Sequence, residues 1–300
     1  GLPLTPDGVV LLAGGARGIA ALIASALARR YRCHLEMVGR SGLPLVEEGA
    51  ATRGIEDPRR LRQAMMAEDG SRKPAEIERL ARRILAERDV RATLAGVRAA
   101  GSTVRYTALD VRDGKAFTDF IAEVYARHGR VDGVIHGAGV VEDKLVRDKT
   151  DESFGRVFDT KVSSALILNQ QIRDDVRFVV FFSSVSSAFG NRGQVDYAAA
   201  NDVLDKLAHA WQARIPGRVL SVNWGPWADT GMVSDALRNE YARKGIGLIP
   251  QRQGVEALLR ELASGPGESQ VVLMCGAPES FADRAPAGVP ADASATVNGA

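Results

Sequence analysis

The residues best able to do chemistry fall at three points of the chain. Ala13-Gly14-Gly15-Ala16-Arg17-Gly18-Ile19-Ala20 follows a short apolar run and has the spacing GxxxGx(G/A). Glycines there let the backbone turn tightly and let an anion approach a helix N-terminus, where unpaired N–H groups and the dipole favour negative charge. Between a first strand and a first helix, that turn suits the pyrophosphate of a dinucleotide, although any tight strand-to-helix turn also favours glycine. The second apolar run ends Val38-Gly39-Arg40-Ser41. A carboxylate at this place would hold a ribose 2′-hydroxyl, whereas an arginine suits a 2′-phosphate. Glu36 lies inside the strand, two residues too early. Arg40 therefore predicts NADPH. The third point joins Ser184, ending Phe181-Phe182-Ser183-Ser184, to Tyr197, opening Tyr197-Ala198-Ala199-Ala200-Asn201. Ligands of parallel α/β sheets bind beyond the carboxyl ends of the strands, which places both hydroxyls at one site. A phenol there can give a proton to a carbonyl oxygen that a serine hydroxyl polarises. The alternative is that both are ordinary polar residues at element ends.

These side chains must be held by strands and helices, and the apolar pattern supplies them. Strands are predicted over Val9–Ala13, Leu35–Val38, Val104–Leu109, Gly133–Ile135, Phe178–Phe182 and Val219–Val222, with Gln270–Met274 as a last candidate. Amphipathic helical stretches separate them. Repeated strand–helix alternation with nearly continuous apolar strands predicts an α/β fold, a doubly wound parallel sheet of Rossmann type.

About sixty residues after Ser41 contain no strand signal. Pro58 could open a helix capped by Asp57, and Pro74 a second through Ile77, Leu80, Ile84 and Leu85. The first would pack through Leu61, Met65 and Met66, and the second would carry a basic face of Arg79, Arg82, Arg83 and Arg88. That face reads as solvated, with an acidic docking partner as the alternative. The division expected is a catalytic unit over 1–275, with a helical insertion at about 43–95 and a lid at about 226–250. A flexible linker would follow over 276–300, where large apolar residues all but vanish.

Composition narrows the class. The 300 residues are 45% hydrophobic and 25% charged, a globular profile, and the net charge of +2 argues for neither nucleic acid nor a membrane surface. No apolar run approaches a membrane span. Cys33 and Cys275 stand far apart, and no His, Cys and carboxylate spacing predicts a metal site. A reduced, cytoplasmic setting is expected. The start at Gly-Leu-Pro, without a leader pattern, reads as a piece of something larger.

The thirteen-residue step from Ser184 to Tyr197 resembles the short-chain dehydrogenase/reductase family, whose usual YxxxK would put a lysine at Asn201. Ketoreductase domains of type I polyketide and related fatty acid synthases resemble that family with Lys and Asn exchanged, and Lys161 in Thr160-Lys161-Val162 occupies the exchanged place. Asp110-Val111 resembles the adenine contact, and His136-Gly137-Ala138-Gly139-Val140 the HxAGV run under the cofactor. Gly193-Gln194 with Tyr197 to Asn201 resembles GQxxYAAAN. Asn223-Trp224-Gly225-Pro226-Trp227 followed by Gly231-Met232 resembles NWGPW…GM at the lid entry. The segment Asp148-Lys149-Thr150, Phe158 to Lys161 and the long insertion are most similar to ketoreductases of iterative synthases, such as polyunsaturated fatty acid and enediyne-type systems.

The resemblance implies NADPH-dependent reduction of a 3-ketoacyl thioester, delivered by an acyl carrier protein among neighbouring domains of a synthase. Tyr197 would be the general acid and Ser184 would bond the ketone oxygen. Lys161 would favour the ionised phenol, and Asn201 would orient Lys161 or a water relay. Gly14, Gly15, Ala16, Arg17, Gly18, Ile19, Arg40, Ser41, Asp110, Val111, His136 to Gly139, Asn223, Gly225, Pro226 and Met232 would hold the cofactor. Asp143, Phe189, Gln194 and Trp227 would shape the substrate side. Val141-Glu142-Asp143 resembles the Leu-Asp-Asp of B-type enzymes, and Phe189 replaces the Trp of A-type ones, which favours the 3R alcohol. Such domains also carry an N-terminal pseudo-Rossmann half, and only eight residues precede the first strand. The rival readings are a free-standing reductase of a small carbonyl, opposed by Asn201, and a non-catalytic cofactor-binding scaffold.

Overall fold

The computed structural model describes residues 2, 4–43, 48–228, 230, 238, 241–243, 245–265 and 267–276. Most of the expected linker, parts of the expected lid and Met232 lie outside the described residues. Seven parallel strands form one sheet in the order β3-β2-β1-β4-β5-β6-β7. They are β1 (Val9–Ala13), β2 (His34–Gly39), β3 (Val104–Ala108), β4 (Gly133–His136), β5 (Phe178–Ser184), β6 (Arg218–Trp224) and β7 (Gln270–Leu273). The order reverses at β1 and β4, and a crevice for ligands opens outside the carboxyl ends at such a switch point.

The helices are α1 (Gly18–Tyr31), α2 (Pro58–Glu68), α3 (Pro74–Ala99), α4 (Gly114–His128), α5 (Asp151–Gln171), α6 (Val185–Phe189), α7 (Val195–Gln212) and α8 (Gln251–Ala263). One core unites Leu12, Ile23, Leu27, Val90, Leu94 and Leu258 on one face of the sheet. A second unites Leu11, Phe117, Val124, Leu168, Phe181 and Trp211 on the other. Among the described residues, no helix is long and apolar enough to cross a membrane.

β2, β4, β5 and β6 reach further than their apolar runs, while β3 and β7 end one residue earlier than expected. β5 continues through Ser183 and Ser184, paired with Asn223 and Trp224 of β6. Backbone hydrogen bonds do not require apolar side chains, so the ladder carries these polar residues to the rim of the sheet.

The region after Ser41 is also organised differently from a simple insertion. α3 is one continuous helix of 26 residues. Its C-terminal half buries Val90, Leu94 and Val97 in the main core, while Ile77 and Ala81 join Leu61 and Met65 of α2 in a separate cluster. The helical layer that covers the sheet is thus lengthened at its N-terminus. Of the four arginines expected on its basic face, Arg82, Arg83 and Arg88 are paired. Arg82 meets Glu78 at 2.8 Å, Arg83 meets Glu87 at 3.5 Å, and Arg88 binds Glu48 and the carbonyls of Thr52 and Ile55. Arg88 is a brace for the 48–55 loop and not part of a solvated face.

Candidate active site

The turn after β1 is shaped for close approach. Gly14 and Gly15 adopt φ of 130° and 91°, and both their N–H groups donate to the Val38 carbonyl, at 3.0 and 2.7 Å. A Cβ on Gly14 would lie 2.5 Å from the carbonyl carbon of Gly137. Only glycine fits there, for both strain and space. The α1 N-cap, Arg17, makes no side-chain cap, and the first turn holds no acid, so no side chain of that turn competes with an anion for its N–H groups. Ala16 is fully buried and Ile19 packs on the core. The Arg17 side chain meets Asp89 at 3.1 Å, but both are exposed, and such pairs are weak enough to yield to a phosphate.

Arg40 is exposed at the carboxyl end of β2, followed by Ser41, whose carbonyl accepts the Tyr106 hydroxyl at 2.7 Å. Glu36 is not available to a ribose. It is buried beneath Arg127 at 2.6 Å and His128 at 2.8 Å. Asp110 lies just past β3 beside Val111, and the Arg112 guanidinium at 2.6 Å holds its carboxyl low.

Ser184, Lys161 and Tyr197 converge at the end of β5. Ser184 caps α6, its Oγ accepting the Ser186 N–H at 3.2 Å. The cap leaves the hydroxyl proton to be donated outward, and the Ser184 side chain acts to lower the pKa of the Tyr197 phenol. Lys161 projects from α5 with 3% exposure, and its Nζ donates to the Phe182 carbonyl at 2.7 Å. Nζ lies 5.5 Å from the Tyr197 ring centre. Gly139 makes room for it, since a Cβ there would come within 3.0 Å of Lys161 Cε. Burial pushes the Tyr197 phenol above its usual range, with Asn201 and Ser184 opposing, so it keeps its proton at neutral pH. Burial also drives Lys161 down to about 7, while the Asp205 carboxylate pulls upward.

Several expected contacts are placed otherwise. Asn201 does not orient Lys161. Its Nδ2 donates to the Tyr197 carbonyl at 2.7 Å, a bond within α7, and its buried Oδ1 has no partner among the described residues. The side chain of Asn223 is turned inward, donating to Ser187 at 2.5 Å and to Asp205 at 2.8 Å. Gly225 and Pro226 follow it, the Pro226 carbonyl accepting from Ile249 N–H at 2.7 Å. Trp227 is no substrate wall. It is 3% exposed and packs edge-on against Trp224, 4.9 Å between ring centres, because its large apolar ring finds the α8 core. Gln194 and Asp143 are brought together, Nε2 to Oδ1 at 3.0 Å, and Phe189 is half-buried at the end of α6.

His136 also serves the interior. Its ring is fully buried, bonds Ser164 at 2.7 Å and meets Phe181 edge-on. Burial and then the Lys161 charge push it from 6.5 down to about 3. Between those values the unfolded chain binds a proton that the folded chain refuses, so stability is lost as pH falls from 6.5 towards 3. We expect a His136→Gln variant to lose melting temperature less steeply than wild type across that window. Parallel pH profiles would show that His136 does not carry the effect.

Sequence reasoning missed Asp205 as part of the site. Its fully buried carboxylate accepts from Ser221 at 2.5 Å, Ser187 at 2.7 Å and Gln270 at 3.1 Å, besides Asn223. Nothing in its local pattern separates it from an ordinary helical aspartate.

The family model described as the KR domain matches residues 8–229. The chain is 32% identical over 278 residues to one subunit of the polyunsaturated fatty acid synthase of Thraustochytrium sp., a match covering 88% of this chain and 10% of that one. It spans a tenth or less of the length of the first curated relatives that it matches. A ketoreductase domain from the bacillaene assembly line superposes with a TM-score of 0.73 at 28% identity, covering 94% of this chain and 59% of that one. A short-chain dehydrogenase/reductase mutant from Serratia marcescens shares the fold, with a TM-score of 0.64 at 18% identity over 90% of this chain and 97% of its own.

Proposed function

The chain belongs to the KR domain family, and on that premise we propose that it reduces a 3-ketoacyl thioester, carried by an acyl carrier protein, to the 3-hydroxyacyl thioester with NADPH. The observation that carries the reading is the convergence of Ser184, Tyr197 and Lys161 at the end of β5, with only β4 between it and the Gly14 turn after β1. The residues fit a nicotinamide cofactor. Gly14 packs too closely on the Gly137 backbone to carry a Cβ, Gly15 leaves open space beside it, α1 opens uncapped, and the buried Asn201 Oδ1 has no partner among the described residues. The turn from Gly14 to Ile19 would hold the pyrophosphate, Arg40 and Ser41 the 2′-phosphate, and Asp110 and Val111 the adenine. When bound, the cofactor supplies the hydride.

The chain supplies the rest. Ser184 donates its hydroxyl proton to the ketone oxygen and fixes its place. Tyr197 gives that oxygen a proton as negative charge gathers there. Lys161, in its ammonium form, lowers the cost of the phenolate left behind. Asp143, held by Gln194, borders the site, and the 3R alcohol is the expected product. The synthase setting rests on the lengths and names of the relatives, and the carrier protein on the resemblance to synthase ketoreductases.

The test is NADPH oxidation with a 3-ketoacyl thioester of a small thiol, followed by chiral analysis of the alcohol. Turnover supports the reading. Tight NADPH binding without reduction of any such thioester overturns it in favour of a scaffold. Arg40→Asp should weaken NADPH selectively, because it replaces the partner of a doubly charged phosphate with a like charge. The expected loss is about tenfold to a hundredfold in kcat/KM, with NADH little changed. Equal effects on both cofactors would remove Arg40 from the 2′-phosphate site.

A further inference from the structure

Two charged side chains beside Tyr197 have no part in the reaction just described. Lys149 lies in the loop between β4 and α5, and Asp196 is the residue before Tyr197 in the first turn of α7. The Lys149 ammonium donates to Asp196 Oδ2 and to the Glu142 carbonyl. The two side chains are only 5% and 1% exposed. The other carboxylate oxygen of Asp196 accepts the backbone N–H of Tyr197 at 2.8 Å.

The same loop meets the same turn twice more. Lys144 N–H donates to the Gly193 carbonyl at 2.9 Å, and Gln194 reaches Asp143. On the far side, the Glu142 carboxylate accepts from Arg156 Nε at 2.8 Å and Nη2 at 2.9 Å, and from Ser153 Oγ at 2.9 Å. Arg156 and Ser153 belong to α5, the helix that carries Lys161. The buried pair therefore stands where three parts of the site join: Lys161 on α5, Asp143 on the loop and Tyr197 on α7.

Stability alone does not account for it. Two buried charges are costly to desolvate, and a well-packed apolar pair of similar volume often serves a fold as well or better. An acid in a first helical turn commonly complements the dipole from the surface, whereas this one is enclosed. What the ion pair offers over an apolar contact is fixed direction. One ammonium spans a loop carbonyl and the carboxylate that caps Tyr197.

Resting on the reductase reading above, we propose that Lys149 and Asp196 form a positioning pair that locks the 141–149 loop against the first turn of α7. The lock keeps Tyr197 and Asp143 in one relation, and so sets both the turnover rate and the face of the ketone that is reduced. Neither residue touches the reacting atoms in this account.

The test compares Lys149→Met, Asp196→Asn and the double variant with wild type. Asparagine still offers an oxygen to the Tyr197 N–H, and the double variant leaves no charge buried alone. Hydrogen exchange is read first, without substrate, over 141–149 and 194–198. NADPH affinity, kcat, KM and the enantiomer ratio of the alcohol follow. Lys149→Met alone should lose stability, since it strands the Asp196 charge. The double variant should melt near wild type and bind NADPH normally. It should still exchange both segments faster and lose kcat by about tenfold, the scale of coupling between contacting groups, with a larger share of the minor alcohol. A double variant with wild-type exchange, or with fast exchange but unchanged kcat and enantiomer ratio, overturns the proposal. If wild type reduces no 3-ketoacyl thioester, the reductase reading fails, while the exchange data still decide whether the pair locks the loop.

Discussion

Replacing Tyr197 with phenylalanine is expected to lower turnover by about two to four orders of magnitude, the usual contribution of a positioned general acid. Phenylalanine keeps the half-buried ring whose centre lies 5.5 Å from Lys161 Nζ and deletes only the hydroxyl. Burial holds that phenol protonated at neutral pH, with Asn201 and Ser184 opposing it. The variant should accordingly fold, melt within about 1 kcal/mol of wild type and bind NADPH normally. Single-turnover reduction of a 3-ketoacyl thioester, with cofactor titration alongside, separates chemistry from binding. Retention of more than about a tenth of the rate would mean that another group gives the proton. Loss of cofactor affinity in step with rate would instead make Tyr197 a binding residue.

The sheet was legible because strands buried on both faces must be apolar throughout, and the runs from Val9 and from Phe178 could be little else. Their ends were less so, since Ser183 and Ser184 are held by backbone pairing that side-chain polarity does not report. The Gly14 turn was legible for a related reason: only glycine tolerates its φ beside the Gly137 backbone. Charges were the hardest to read. Lys149, Asp196 and Asp205 look like surface residues in any local window, and only tertiary packing from distant elements encloses them. Arg88 misleads in the same way, as its partners Glu48, Thr52 and Ile55 lie more than thirty residues away. Trp227 shows the reverse error, where a motif position suggests substrate contact and the ring's apolar area finds the core.

Replacing Lys161 with methionine should stabilise the ligand-free protein while removing nearly all turnover. The ammonium is 3% exposed, and its described bond is to the neutral Phe182 carbonyl. Burial lowers its pKa from 10.5 to about 7, against the upward pull of Asp205. Below 7 both folded and unfolded chains carry the charge, and the folded one bears the full desolvation cost. Between 7 and 10.5 the unfolded chain holds a proton that the folded chain has shed, so wild-type stability rises with pH across that window. Methionine has similar reach and no charge. It gives up a hydrogen bond worth about 1 kcal/mol and removes a penalty on the order of several kcal/mol. The variant should therefore be the more stable protein by about 2 kcal/mol below pH 7, with the gap closing towards pH 10.5. Turnover should fall by about two to three orders of magnitude, as when a preorganised donor is lost from a site of developing charge. Melting curves of both proteins across this pH range, paired with rates at neutral pH, decide the matter. A less stable variant below pH 7 would mean that the buried charge is already compensated. An active one would mean that the Tyr197 phenolate needs no ammonium beside it.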